Sequence, residues 1–182
     1  MSERKLWFMI ICYVFLIFLT IPLAPFVVDE IRKVFGKSYS LFVSGVIIIS
    51  LFYIFFIVRF FELNTRGKFW MLFLLFTGLS IVLLMEIPAE RIHFIEYGFL
   101  GFILSKAFQR ERMRYFLAFS GGAIVGFSDE LIQGVLQVQN IFPHLRRYFE
   151  WKDVGMNFFG VFLGIVFSLY VMEKGRKTVS LS

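Results

Sequence analysis

Three clusters of ionisable and amide side chains interrupt the apolar second half of the chain. They are Glu90-Arg91-x-His93-x-x-Glu96-Tyr97, Asp129-Glu130-x-x-Gln133, and Arg147 followed by Asp153-x-x-x-Asn157. An imidazole close to a carboxylate can pass a proton or hold a polar ligand. Such groups at the edge of apolar helices are costly, and usually mark a pathway, a ligand site or a polar network. Any function of the chain is expected to sit there.

Helical spacing sharpens the pattern. His93 and Tyr97 are four residues apart and share a face with Glu90, while Glu96 borders it. Gly101 and Ser105 continue that stripe. On the next segment Gly122, Gly126, Asp129 and Gln133 lie on one side. Glu130 is rotated about 100° from Asp129, so the two carboxylates are not expected to serve one partner equally. One would reach water and the other would pair with a base, His93 or Arg147. The last segment reads Asp153, Asn157, Gly160, Gly164, Ser168 along a single stripe. Its Gly-x-x-x-Gly surface suits close helix packing and carries a carboxylate and an amide to the rim. His93 has two open readings: a hydrogen-bonded residue at a polar helix start, or a group that handles a proton or a ligand.

Composition narrows the class. The chain is 59% hydrophobic, with 27 Phe among 182 residues. A soluble domain of this length cannot bury that much apolar surface. The formal charge of +6 does not point to nucleic acid, because the basic residues lie in short loops between apolar segments, where they set topology and meet anionic headgroups. The lone cysteine, Cys12, excludes a disulfide framework. No His-Glu-x-x-His motif is present, and Glu90-x-x-His93 is a single Glu-x-x-His without the second that a paired site needs, so neither a metal nor another cofactor is expected. Ser128 is the only hydroxyl near the acids, which leaves a Ser-His-Asp triad without support.

The elements that must position these groups are helices. A span needs about 20 apolar residues. Six candidates follow, at 6–27, 41–60, 69–87, 90–108, 115–136 and 154–172, giving an all-α polytopic membrane bundle and one domain over 1–182. The fourth begins with polar residues, and Pro88 suits its first turn. Pro22 and Pro25 are expected to kink or end the first span. Of the 19 basic residues, Arg32, Lys33, Lys37, Arg91, Arg146, Arg147 and Lys152 fall on one side and the other 12 opposite. The positive-inside rule then puts both termini in the cytoplasm. All three polar clusters reach the exoplasmic face, and they converge whichever way the bundle is oriented.

Together the clusters resemble the VanZ-like family of small bacterial membrane proteins. The likeness rests on Glu90-Arg91-Ile92-His93-Phe94-Ile95-Glu96-Tyr97, on Glu130-Leu131-Ile132-Gln133, and on Arg147, Asp153 and Asn157 followed by glycines, with the motif-bearing part at 86–172. Two features depart from the pattern. Glu-Arg stands where Asp-Lys is more usual, and a longer loop precedes Arg147, leaving Arg146 as a competing equivalent. The resemblance implies a multi-pass protein of the bacterial inner membrane. It also implies a link to low-level glycopeptide (teicoplanin) antibiotic resistance.

On this basis an exoplasmic pocket between the last three spans is expected to take a polar envelope ligand, such as a lipid-linked wall precursor or a glycopeptide, with membrane lipids as surroundings. His93, Tyr97, Glu130, Gln133, Arg147, Asp153 and Asn157 would line it. Arg147 would hold an anionic group, and His93 would tune protonation. Two other classes stay open: an enzyme acting on a lipid headgroup with His93 and Glu130 as acid and base, and a structural protein whose polar groups only lock helices together.

Overall fold

The computed structural model describes residues 3–85, 88–138 and 149–176, with backbone alone at 88–90 and 137–138. The fold is all-α. Among the described residues the α-helices are α1 (Glu3–Phe35), α2 (Tyr39–Ile57), α3 (Thr65–Leu84), α4 (Pro88–Ala107), α5 (Arg114–Val138) and α6 (Trp151–Val166). A π-helical turn, Phe167–Glu173, extends α6. Among the described residues four stretches are long and apolar enough to cross a membrane: Glu3–Ile57, Thr65–Leu84, Arg114–Leu136 and Trp151–Glu173. The outer surface is apolar, with Leu83 and Leu84 79% and 81% exposed.

Helix ends follow local chemistry. Pro88 opens α4 as expected, because a first-turn proline lacks only an N–H that would have no helical partner. Pro22 and Pro25 do not end α1, which continues to Phe35. A proline's φ is itself helical, so each costs one backbone hydrogen bond without forcing the chain out of the helix. The reversal comes later, at Gly36, whose φ of +51° suits a residue without Cβ. Phe35 then stacks on Phe42, and Arg32 lies over the Tyr39 ring, folding α2 back along α1.

The helices run alternately, which gives the bundle two distinct ends. At one end Glu3 pairs with Arg110 at 3.2 Å, and Glu173 accepts hydrogen bonds from Lys106, Arg114 and Tyr115. Asn64 works in two directions there. Its side-chain oxygen caps α3 by accepting from the Gly67 N–H at 2.8 Å, while its amide donates to the carbonyls of Lys174 and Arg176. Gly67 and Gly175 touch backbone to backbone. At the other end Arg91 is buried and donates to the Met85 carbonyl, which ends α3, and to Ser44 Oγ at 2.6 Å on α2. A cation at a helix C-terminus also meets the negative end of the helix dipole. Arg91 thus ties α2, α3 and α4 together.

The centre is the contact of α4 with α6. A Cβ on Gly164 would overlap the Gly98 carbonyl oxygen, and one on Gly101 would overlap that of Val161. Gly160 would meet the Phe94 carbonyl at 2.9 Å, and Gly122 on α5 would meet the Val161 methyls at 2.7 Å. The Gly-x-x-x-Gly face therefore brings two backbones into contact, as its spacing predicts.

Gly164→Val is expected to destabilise the protein by at least about 3 kcal/mol, lowering the melting midpoint in detergent by roughly 6–12 °C. Gly155→Ala, at a helical position with open space around it, should be neutral or raise stability by up to about 1 kcal/mol. Equal midpoints for the two variants would refute the close-packing account.

Candidate functional site

Above the glycines, the same three helices place a polar layer. Tyr97 sits one turn before Gly101 on α4, Gly126 and Asp129 lie one and two turns beyond Gly122 on α5, and Asn157 sits one turn before Val161 on α6. Tyr97, Glu130 and Asn157 are 0% exposed, Asp129 is 1% and Gln133 is 2%. Burial of this kind demands hydrogen-bond partners. Tyr97 donates its hydroxyl to Asp129 Oδ2 at 2.8 Å. Asn157 donates its amide to the Gly126 carbonyl at 3.2 Å, an approach open because a Cβ on Gly126 would strike the Asn157 side chain. Asn157 Oδ1 is buried without a hydrogen-bond partner among the described residues.

Gln133 corrects the expectation that Asp129 and Glu130 diverge. Its Nε2 donates at 3.1 Å to Asp129 Oδ1 and at 3.1 Å to Glu130 Oε1. The two carboxylates do leave the helix about 100° apart. One amide with two N–H groups, three residues from one and four from the other, spans the gap. Nor does either carboxylate reach water through the surface, since both are buried.

His93 lies one turn beyond Tyr97, with its ring nearly parallel to the phenol at 6.3 Å between centroids. Its Nδ1 stands 3.6 Å from Glu96 Oε2 and 3.8 Å from Asp129 Oδ2. These are ion-pair rather than hydrogen-bond distances. The imidazole is therefore set between a fully buried carboxylate and a half-buried one, at ion-pair distance from each.

A cavity of about 160 Å³ opens at these groups, bounded by His93, Glu96 and Asp129 on one side and by Ile17, Thr20, Ile21, Ala24 and Val28 on the other. Its walls are α1, α4 and α5, and α6 supplies none of its described lining. α1 is held in place by Tyr13, which donates to the Glu96 backbone carbonyl at 3.0 Å.

Of the residues expected from sequence, His93, Tyr97, Glu130, Gln133 and Asn157 come together in one layer. Asp153 lies in the first turn of α6 at the same end of the bundle. Arg147, with its alternative Arg146, lies outside the described residues. Sequence reasoning missed the central place of Asp129, though its i,i+4 relation to Gln133 was visible. It also missed the α1 wall and the role of Arg91. Among the described residues no group of three or more His, Cys, Asp or Glu side chains is arranged to hold a metal ion.

Tyr97→Phe removes the hydroxyl that α4 donates to Asp129 Oδ2, and is expected to cost about 1–3 kcal/mol. Gln133→Leu deprives both carboxylates at once and should cost more. Because Asp129 is shared, the double variant should depart from additivity by at least about 0.5 kcal/mol in thermal melts. Strict additivity would show that the contacts do not form a network.

Comparison with models of known protein families, with curated proteins and with solved structures finds no match to this chain.

Proposed function

We propose that the chain is a VanZ-like multi-pass protein of the bacterial inner membrane that binds a polar envelope ligand at the His93–Asp129 cavity. Six transmembrane helices would place both termini in the cytoplasm and the polar layer at the exoplasmic side. The apolar exterior supports the membrane reading, since exposed apolar area on this scale needs a non-aqueous surrounding. The end of the bundle that holds Lys106, Arg110, Arg112 and Arg114 would face the cytoplasm.

The observation that carries the ligand reading is the cavity itself. It is a small space with an imidazole and two carboxylates on its wall, and a fully buried acid beside them. Apolar packing alone would give a dry cavity lined by hydrocarbon. The acceptors on its wall are the Glu96 and Asp129 carboxylates. A ligand rich in N–H or O–H donors is the complement, as in the sugar or peptide part of a lipid-linked wall precursor or a glycopeptide. Arg147 enters this reading as the group that would hold an anionic part of the ligand.

One observation favours a second reading. Tyr97, Asp129, Gln133 and Glu130 bond to one another, which a polar lock between helices would also do. Catalysis on a lipid headgroup by His93 and Glu130 is a third class and requires turnover.

Native mass spectrometry of the purified protein, wild type beside Glu130→Gln, separates these readings. The binding reading expects a discrete adduct on the wild type that is lost from the variant, while the melting midpoint stays within a few degrees. Empty spectra for both, with a large fall in midpoint for the variant, would establish the lock instead. Topology is tested in a Cys12→Ser background. A cysteine at Lys37→Cys should react with an impermeant maleimide in intact spheroplasts, and one at Gln109→Cys only after permeabilisation. The reverse pattern would overturn the proposed orientation.

A further inference from the structure

A second and larger cavity, about 570 Å³, lies between α2, α3, α4, α6 and the π-helical turn, with Tyr13 of α1 at its edge. It is separate from the polar layer and differs from it in character. Its hydroxyl-bearing side chains are Tyr13 and Tyr53, and the rest of its lining is aliphatic, aromatic, methionine or glycine. The Tyr13 hydroxyl is already committed to the Glu96 carbonyl. Such walls offer nothing to a polar ligand and would leave water short of partners.

Its dimensions restrict the occupant. It runs from Phe94 to Phe102 along α4 and from Met71 to Gly78 along α3. That is about 11 Å of helix at 1.5 Å per residue, within the roughly 15 Å of one bilayer leaflet. Extended hydrocarbon chains can lie along a slot of that length, against walls of their own polarity.

The rim at one end is basic and aromatic. Lys106 Nζ lies 5.9 Å from the ring of Phe102, a lining residue. Arg66 lies 5.0 Å over the Tyr170 ring, Lys174 lies 5.6 Å from it, and Tyr170 stacks on Trp70 at 4.4 Å. Glu173 is the acid of this rim and is shared between Lys106 and Arg114. Cations and a tryptophan at the mouth of a hydrocarbon slot match a headgroup that carries a phosphate.

We propose that this groove is a binding site for an anionic phospholipid, with its acyl chains between α2, α3 and α4 and its phosphate among Lys106, Arg66 and Lys174. The inference rests on the membrane reading above but not on the polar ligand site. Lipid held there would fill the gap between the α2–α3 pair and the helices that carry the polar layer.

The test is native mass spectrometry of the full chain in mild detergent, titrated with phosphatidylglycerol or with phosphatidylcholine of the same acyl chains. Phosphatidylglycerol adducts should exceed phosphatidylcholine adducts by about fivefold or more, the scale of one or two Lys or Arg contacts. Leu75→Trp fills the groove and should abolish adducts of both lipids. Ile54→Trp, on the facing wall, repeats the test should the first variant not accumulate. Lys174→Gln leaves the Glu173 pairs intact and should narrow the headgroup preference. Unchanged lipid adducts in both tryptophan variants would overturn the proposal, as would a dimer that carries no lipid and is broken by Leu75→Trp. Glu130→Gln should leave lipid binding intact, so the polar site can fail without this one. Recovery of the chain in the soluble fraction would defeat both.

Discussion

The backbone of α6 lies directly on the backbone of α4 because Gly98, Gly101, Gly160 and Gly164 put no side chain between them. Contact this close is rigid, since small residues have no rotamers with which to absorb a shift. It also fixes the separation of the turns above the glycines. There Tyr97 reaches Asp129 and Asn157 reaches the Gly126 carbonyl without stretching. Both bonds run to α5, whose Gly122 and Gly126 let it come close to α6 as well. The polar layer is thus supported by the glycine stripe in a mechanical sense, and α5 joins it through Gly122 and Gly126.

Much of this was legible in the residues. The glycine and polar stripes of α4, α5 and α6 obey helical spacing, and spacing determines which residues share a face. The all-α class followed from the long apolar runs, and the proline start of α4 from the chemistry of a first turn. Spacing could not show how far a side chain reaches. A helical wheel separates Asp129 from Glu130 by direction at Cα, yet a glutamine three and four residues away joins them at the tips of the side chains. Nor does spacing distinguish one aliphatic residue from another: Ile17, Ile21, Ala24 and Val28 line a cavity, although nothing in their type sets them apart from the exposed Ile11, Phe15 and Leu19. Arg91 stood in the first polar cluster and among the topology charges in sequence, with no partner named for it. Its role depends on a contact with Ser44, 47 residues away.

The two ends of the bundle solve the problem of charge differently. At the basic end Glu173 draws Lys106, Arg114 and Tyr115 together at a partly exposed site, where solvent screening keeps each ion pair weak. The wider π-helical turn sits at this place, a geometry that often accompanies functional positions. At the other end the carboxylates are fully buried, solvent screening is slight, and every missing donor is costly. Substitutions should therefore be tolerated at the first end and felt at the second.

The cap of α3 ties the schedule of folding to the end of the molecule. Asn64 holds the start of α3, but its amide and its backbone N–H are occupied by Lys174, Gly175 and Arg176, and the Lys174 contact lies 110 residues further along the chain. At typical synthesis rates that interval lasts on the order of ten seconds. During it the α2–α3 pair has no partner at its lower end, and Gly67 has no Gly175 to rest against. The start of α3 thus gains its full set of partners only after residues 174–176 have been made, whereas Arg91 can tie its other end as soon as α4 follows.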